Sequence, residues 1–307
     1  MTRFLQWSDL HRELSDADFP RPTEACPAGS VDAILIAGDL NTRGLHMEDA
    51  KRIQEAWDVP VVMIRGNHER YRSVWQDFQA DEAERLAAAR SEGFDIRVLD
   101  CGETVIGDTR ILGCTLWTDF DIIGEADLMM QGAEVVMNDY HKIGWLTPEG
   151  EARKLKARDT LQRHQEEKAW LFEALQRPFE GRTLVMTHHL PAPELLAPEA
   201  KKGDYAPGYV SDLREDFLPH RIDAWVTGHT HWAQRGLIEG LQGPIAFTAN
   251  MMGYEGQHPN FEPYRVLDTE SPGLGLEPLE IGERTLRHLE PARAILARLR
   301  EESCLEI

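Results

Sequence analysis

This sequence lacks the usual signs of disulfide scaffolding, of membrane spanning and of nucleic-acid binding. It has only four cysteines in 307 residues, Cys26, Cys101, Cys114 and Cys304. None forms a Cys-x-x-Cys pair, and four scattered thiols make neither a disulfide framework nor a thiolate zinc site. No uninterrupted apolar stretch of about 18 residues occurs, so no spanning helix is expected. The opening residues run directly into a motif at Ser8, which leaves no room for a signal peptide. The expectation is a reduced, cytoplasmic protein. Positive charge is scarce as well: 33 basic residues face 53 acidic ones, for a formal charge of −20. Without a Lys/Arg-rich run to override it, that excess argues against nucleic-acid and membrane partners.

What remains is an ordinary globular composition, 42% hydrophobic and 28% charged, with enough chain to build a core without staples. The first third alternates short apolar strands with helical stretches. Arg3 to Ser8, Ala33 to Ala37 and Val61 to Ile64 read as strands; Met47 to Trp57 and Tyr71 to Arg90 read as helices. That order favours a parallel sheet covered on both faces. From Ile96 three close runs, 96–99, 104–106 and 110–114, read as an antiparallel meander. Residues 117–148 read as irregular and rich in aromatics and acids. A long charged helix is expected over 149–176, a strand at 183–186, a short helix at 211–218 and a strand at 223–227. Further strands are expected at 235–238, 244–248 and 264–267. An amphipathic helix is expected around 284–302. No linker divides the chain, so 1–307 reads as one domain, with 117–148 as a rim that faces substrate.

Five of these strands end in residues suited to metal binding: Asp9-x-His11, Gly38-Asp39, Asn67-His68, His188-His189 and His229-x-His231. Six of the 12 histidines lie in these motifs. Side chains at the carboxyl ends of strands in one sheet system meet at one crevice. Alone, Asp-x-His or Gly-Asp is most often a solvated turn. His229-x-His231 is the strongest local signal, because alternate residues point the same way on an extended chain. Together the five make a mixed oxygen and nitrogen donor set without cysteine, which fits Zn, Mn, Fe or Co. Two such ions can clamp a phosphate and acidify a shared water.

The set Asp9-Leu10-His11, Gly38-Asp39, Gly66-Asn67-His68-Glu69, His188 and Gly228-His229-Thr230-His231 resembles the calcineurin-like metallophosphoesterases, over roughly three quarters of the chain. The resemblance implies an α/β fold, a four-layer α-β-β-α sandwich of two mixed sheets. It implies two divalent metal ions, one held by Asp9, His11, Asp39 and His231, the other by Asp39, Asn67, His188 and His229, with Asp39 bridging. His68 matches the catalytic histidine, which acts near the leaving-group oxygen. The implied activity is hydrolysis of small phosphomonoesters or phosphodiesters. A protein phosphatase, a nuclease or a non-catalytic metal-binding scaffold on the same fold are the alternatives. His189 lies either behind the ligands or on the rim. Arg43 and Arg65 are candidates for holding phosphate, and Asp119 for walling the substrate pocket. Gly38-Asp39-Leu40-Asn41-Thr42-Arg43-Gly44 resembles the protein-phosphatase motif Gly-Asp-x-x-Asp-Arg-Gly, but Thr42 stands where that motif has the Asp that supports the catalytic histidine. The departure puts both a protein-phosphatase assignment and the support of His68 in question.

Overall fold

The structure, a computed structural model, describes residues 1–14, 18–197, 205–256, 260–280 and 294. Its first sheet is built from runs that are apolar on both faces. β1 (Arg3–Trp7), β2 (Ala33–Ala37), β3 (Val61–Ile64) and β4 (Ile96–Leu99) lie side by side in parallel. The continuous burial of β2 and β3 is what a sheet covered on both sides demands. α1 (Leu45–Trp57) presents Met47, Ala50, Ile53 and Trp57 at three- and four-residue spacing to the outer face, where Trp7, Ile36 and Met63 receive them. α2 (Trp75–Ser91) follows a 3-10 turn at His68–Arg70, so the helix expected from Tyr71 begins four residues later.

The expected meander at 96–114 is corrected. β4 joins the first sheet beside β3, and only β5 (Gly102–Ile106) and β6 (Thr109–Cys114) form an antiparallel hairpin. β6 then pairs in parallel with a strand some seventy residues later. Short apolar runs close in sequence carry no record of such a distant partner.

The segment 117–148, expected to be irregular, holds α3 (Ala126–Val136), α4 (Asp139–Lys142) and β7 (Gly144–Leu146). Their side chains form a satellite core with Trp75, Trp117, Phe120 and Tyr205. β8 (Ala152–Lys154) pairs with β7, and the charged helix α5 (Ala157–Gln176) starts only after it. β9 (Arg182–Thr187), the short α6 (Arg214–Phe217), β10 (Ala224–Thr227), β11 (Gln234–Gly240), β12 (Gly243–Ala249) and β13 (Val266–Asp268) complete the described chain. The tail helix expected at 284–302 falls outside the described residues, apart from Ala294.

Both sheets are mixed. The first runs β13-β1-β2-β3-β4 and the second β11-β12-β10-β9-β6-β5. They pack face to face through Phe4, Leu35, Val62 and Ile64 on one side and Ile111, Leu184, Met186 and Val226 on the other. α5 covers the outside of the second sheet with Leu171, Ala174 and Leu175 against Val185, Trp225 and Phe247. The four layers are therefore α-β-β-α. The parallel strands β1, β2 and β3 of one sheet and β9 and β10 of the other open their carboxyl ends towards a shared edge. Ser8 bridges to Met251 there, beside the loop that carries Tyr254.

Candidate metal centre

Five loops leave those strand ends in tight turns. Asp9, His11, Asp39, His229 and His231 all have positive φ, between 42° and 78°. Non-glycine residues in that region cost on the order of 1–3 kcal/mol each and persist only where their surroundings hold them. Glu69 does part of the holding. Its fully buried carboxylate accepts the backbone N–H groups of Asp39, Leu40 and Gly66 at 3.2, 2.7 and 2.7 Å. Asp9 accepts His229 N–H at 3.0 Å, which ties the loop after β1 to the loop after β10. The loops approach so closely that Gly38, Gly66 and Gly228 admit no side chain. A Cβ on Gly66 would collide with Asp39 Oδ1 and lie 2.6 Å from His188 Cε1. One on Gly228 would lie 2.7 Å from the Ala37 carbonyl.

The side chains meet in three overlapping groups able to hold a cation: Asp9, His11 and His231; His11, Asp39 and His68; and Asp39, His188 and His229. Asp39 Oδ2 lies 3.7 Å from His11 Nε2 and 3.4 Å from His188 Nε2, between the two sides of the cluster. The donor orientations fit a metal. His188 Nδ1 donates to the Ala37 carbonyl at 2.8 Å, so in the neutral ring its Nε2 carries a lone pair. That lone pair faces Asp39 Oδ2 and, at 3.0 Å, Asn67 Oδ1. The Asn67 amide is fixed this way round, since its N–H₂ donates to Asp139 at 2.7 Å and to Tyr71 at 3.1 Å. Three acceptors thus converge, an arrangement that calls for positive charge among them. His11 Nε2 and His231 Nε2 face each other at 2.8 Å, and among the described residues His229 Nε2 is buried without a hydrogen-bond partner.

Without a metal, a proton on His188 meets the same demand for positive charge. Burial works against a charged His188, yet Asp39 and Asp9 push its ring up to about 10. Burial, with His189 and His188 adding to it, pushes His229 well below the usual histidine range, which keeps it a neutral donor. Burial opposes ionisation of Asp39, but the surrounding histidines hold its carboxyl well below the usual carboxylate range.

His68 sits at the rim of this cluster. Its backbone N–H donates to Asp39 Oδ1 at 2.9 Å, and its ring stacks on Tyr71 with centroids 4.1 Å apart. Tyr254 brings its hydroxyl to 3.2 Å from His68 Nε2. Burial lowers the His68 pKa, but Asp39 and Glu13 outweigh it and raise the ring above the ordinary value.

A profile of the calcineurin-like phosphoesterase family matches residues 2–233, which includes every one of these loops. The chain belongs to that family. Among relatives, an uncharacterized protein of Acanthamoeba polyphaga mimivirus is 24% identical over 221 residues, 68% of this chain and 74% of that one. Among solved structures, the phosphopantetheinyl hydrolase PptH of Mycobacterium tuberculosis superposes with a TM-score of 0.61 at 17% identity, covering 83% of this chain and 90% of that one. At that identity the likeness speaks for the fold alone.

In this family member the eight residues Asp9, His11, Asp39, Asn67, His68, His188, His229 and His231 come together, and His189 joins them. The His189 ring lies 4.3 Å from that of His229 and 5.0 Å from that of Trp117, behind the cluster and buried. The other three candidates make their described contacts elsewhere. Arg65 donates to Glu82 at 2.7 Å and pairs with Asp100 at 2.5 Å. Arg43 is exposed and lines a cavity of about 400 Å³ with Arg72, Asp77, Phe78 and Asp81. Asp119 accepts a bond from Asp121 N–H and donates its own backbone N–H to Ser211. The structure adds three groups that the motifs do not mark: Glu13, Asp139 and Tyr254. Asp139 and Tyr254 are far in sequence from what they touch, and Glu13 is an acid in a loop, which is most often solvated.

Proposed function

We propose that this chain hydrolyses phosphoesters at a centre of two divalent ions. Asp9, His11, Asp39 and His231 would hold one, and Asp39, Asn67, His188 and His229 the other. The observation that carries this reading is the place of Asp39 Oδ2, within 3.4–3.7 Å of a histidine nitrogen on either side. Bound ions of the Mn, Zn, Fe or Co type supply Lewis acidity to a phosphoryl oxygen and lower the pKa of water.

The chain's own residues do the rest. Glu69 and Gly66 keep the Asp39 loop against the His68 loop. Asn67 stays with its oxygen towards His188 because Asp139 and Tyr71 hold its amide. His68, protonated on both ring nitrogens, gives its Nε2 proton to the departing alcohol oxygen and is left neutral with Nδ1–H in place, a contribution usually worth about 10²–10⁴-fold. Such help matters most for a basic leaving group, so it matters for alkyl esters and little for nitrophenyl esters.

The substrate class is small or medium-sized, monoester or diester. Because the M. tuberculosis structure is named for hydrolysis of a phosphopantetheinyl group, a phosphopantetheinyl ester belongs in the test. The experiment is a panel of phosphomonoesters, linear and cyclic phosphodiesters, phosphopeptides and that ester, each with Mn, Zn, Fe and Co. Metal content is measured on the wild type and on Asp39→Asn. The expected result is turnover of a small ester, with most metal and nearly all activity lost in the variant. Two bound metals with wild-type turnover in Asp39→Asn would overturn the assignment, and metal without turnover anywhere in the panel would favour a scaffold.

A further inference from the structure

Position 42 is a threonine, so the carboxylate that the related protein-phosphatase motif provides for its histidine is missing from its usual place. The structure nevertheless shows a carboxylate on His68. Glu13, in the loop after β1, accepts from His68 Nδ1 at 2.7 Å. The same oxygen lies 3.3 Å from His11 Nδ1, a longer and weaker contact. Among the described residues Glu13 Oε2 is buried without a hydrogen-bond partner, and the two imidazoles are what engage this side chain.

We infer that Glu13 is the positioning residue of His68, taking from another loop the part that Thr42 cannot play. This rests on the reading above, in which His68 protonates the leaving oxygen. An imidazole has two nitrogens, and the hydrogen bond made by one decides what the other can do. With Nδ1–H donated to Glu13, Nε2 is left towards the cluster, 4.0 Å from Asp39 Oδ2 and 3.2 Å from the Tyr254 hydroxyl. Tyr71 stacked on one face completes the restraint, because it stops the ring from turning about the axis that the hydrogen bond leaves free. Three elements therefore aim one ring: the loop after β1, the 3-10 turn at His68–Arg70 and the residue that ends it.

The alternative role for Glu13 is support of His11, and the two roles have different signatures. The test compares Glu13→Gln, His68→Ala and the double variant on an alkyl and a nitrophenyl phosphoester, with metal content measured on each. On the alkyl ester Glu13→Gln is expected to lose about 10–100-fold in kcat, the usual worth of a partner that orients an active-site histidine. KM should barely move, the nitrophenyl ester should lose far less, and the full metal complement should remain. The double variant should be no worse than His68→Ala, because a side chain that acts only through His68 has nothing left to orient. In metal-free protein at a pH where the ring is neutral, imidazole ¹⁵N shifts should show the one remaining His68 proton at Nδ1 in the wild type and a mixture of tautomers in Glu13→Gln. That readout also verifies that the variant is folded.

Metal loss in proportion to activity in Glu13→Gln would assign Glu13 to His11 and overturn the inference. So would losses in the double variant equal to the product of the single ones. If His68→Ala itself loses equally on both esters, the reading of His68 as the acid fails, and the inference fails with it. That failure is recognisable because it shows in the variant that leaves Glu13 intact.

Discussion

Glu69 ends the Gly66-Asn67-His68-Glu69 motif with no role read for it from sequence, yet it carries a large local load. One buried carboxylate serves three backbone N–H groups from two loops, and its pKa is raised by burial and then by the nearby Asp39. A buried donor left unpartnered costs about 1–3 kcal/mol. Glu69→Ala leaves three, so a loss of roughly 3–5 kcal/mol is expected, read as a lower urea midpoint with an unchanged slope. Metal affinity should fall with it, since Asp39 is one of the residues released. A variant as stable as the wild type would show that water replaces the carboxylate at no cost. Of the residues around the centre, the ligand-type ones were legible because Asp, Asn and His at strand ends are few and specific. Glu13 and Asp139 were not, since an acid in a polar loop is the commonest solvated residue and only the fold reveals what it faces.

At the level of elements, α5 clamps the bend that leads into the rim. Glu167 accepts Leu116 N–H at 2.5 Å, and His164 Nδ1 donates to the Leu116 carbonyl at 2.7 Å. Leu116 and Trp117 have positive φ, 71° and 33°, which bulky side chains adopt only when held. Burial, opposed by Arg163, pushes the Glu167 carboxyl up to about 7. A carboxyl raised in the folded state stabilises most below its unfolded pKa, and that stability is lost as pH rises through the folded value. The window is therefore about pH 4.5 to 7. Glu167→Gln keeps an acceptor for Leu116 and has no proton to lose. Its stability relative to wild type should rise between pH 5 and pH 8, by up to roughly 3 kcal/mol. Urea unfolding at the two pH values gives the number, and a constant difference would refute it. The parallel strands that bear ligands were readable from sequence because each is a short apolar run ending in a turn. The hairpin partner of β5 was readable too, being adjacent. The pairing of β4 with β3, and of β6 with β9, depends on contacts across the chain, and the helices within 117–148 were hidden by their mixture of aromatic and acidic residues.

For the molecule as a whole, a charge of −20 surrounds a centre meant for anions. Long-range repulsion lowers the encounter rate with a charged ester, and salt screens it over a Debye length of about 8 Å at 0.15 M. kcat/KM for an anionic phosphoester should therefore rise about two- to ten-fold from low salt to 0.15 M, metal occupancy held constant. A steady fall with salt would mean that local positive charge dominates the approach. The two-sheet architecture was legible only through the motif set, whereas its closing strand was legible as a strand but not as a partner. β13 pairs with β1, Leu267 lying opposite Phe4. That pairing, together with the meeting of His11 and His231 across 220 positions of sequence, puts a clock on biosynthesis. At about 5–20 residues per second, a ribosome needs roughly 10–40 s to travel from the first ligand loop to the last. Until that last loop emerges, the nascent chain displays Asp9 and His11 without the His231 they meet, so the centre closes only late in translation, and the amino-terminal strand must wait, half paired, for its other edge.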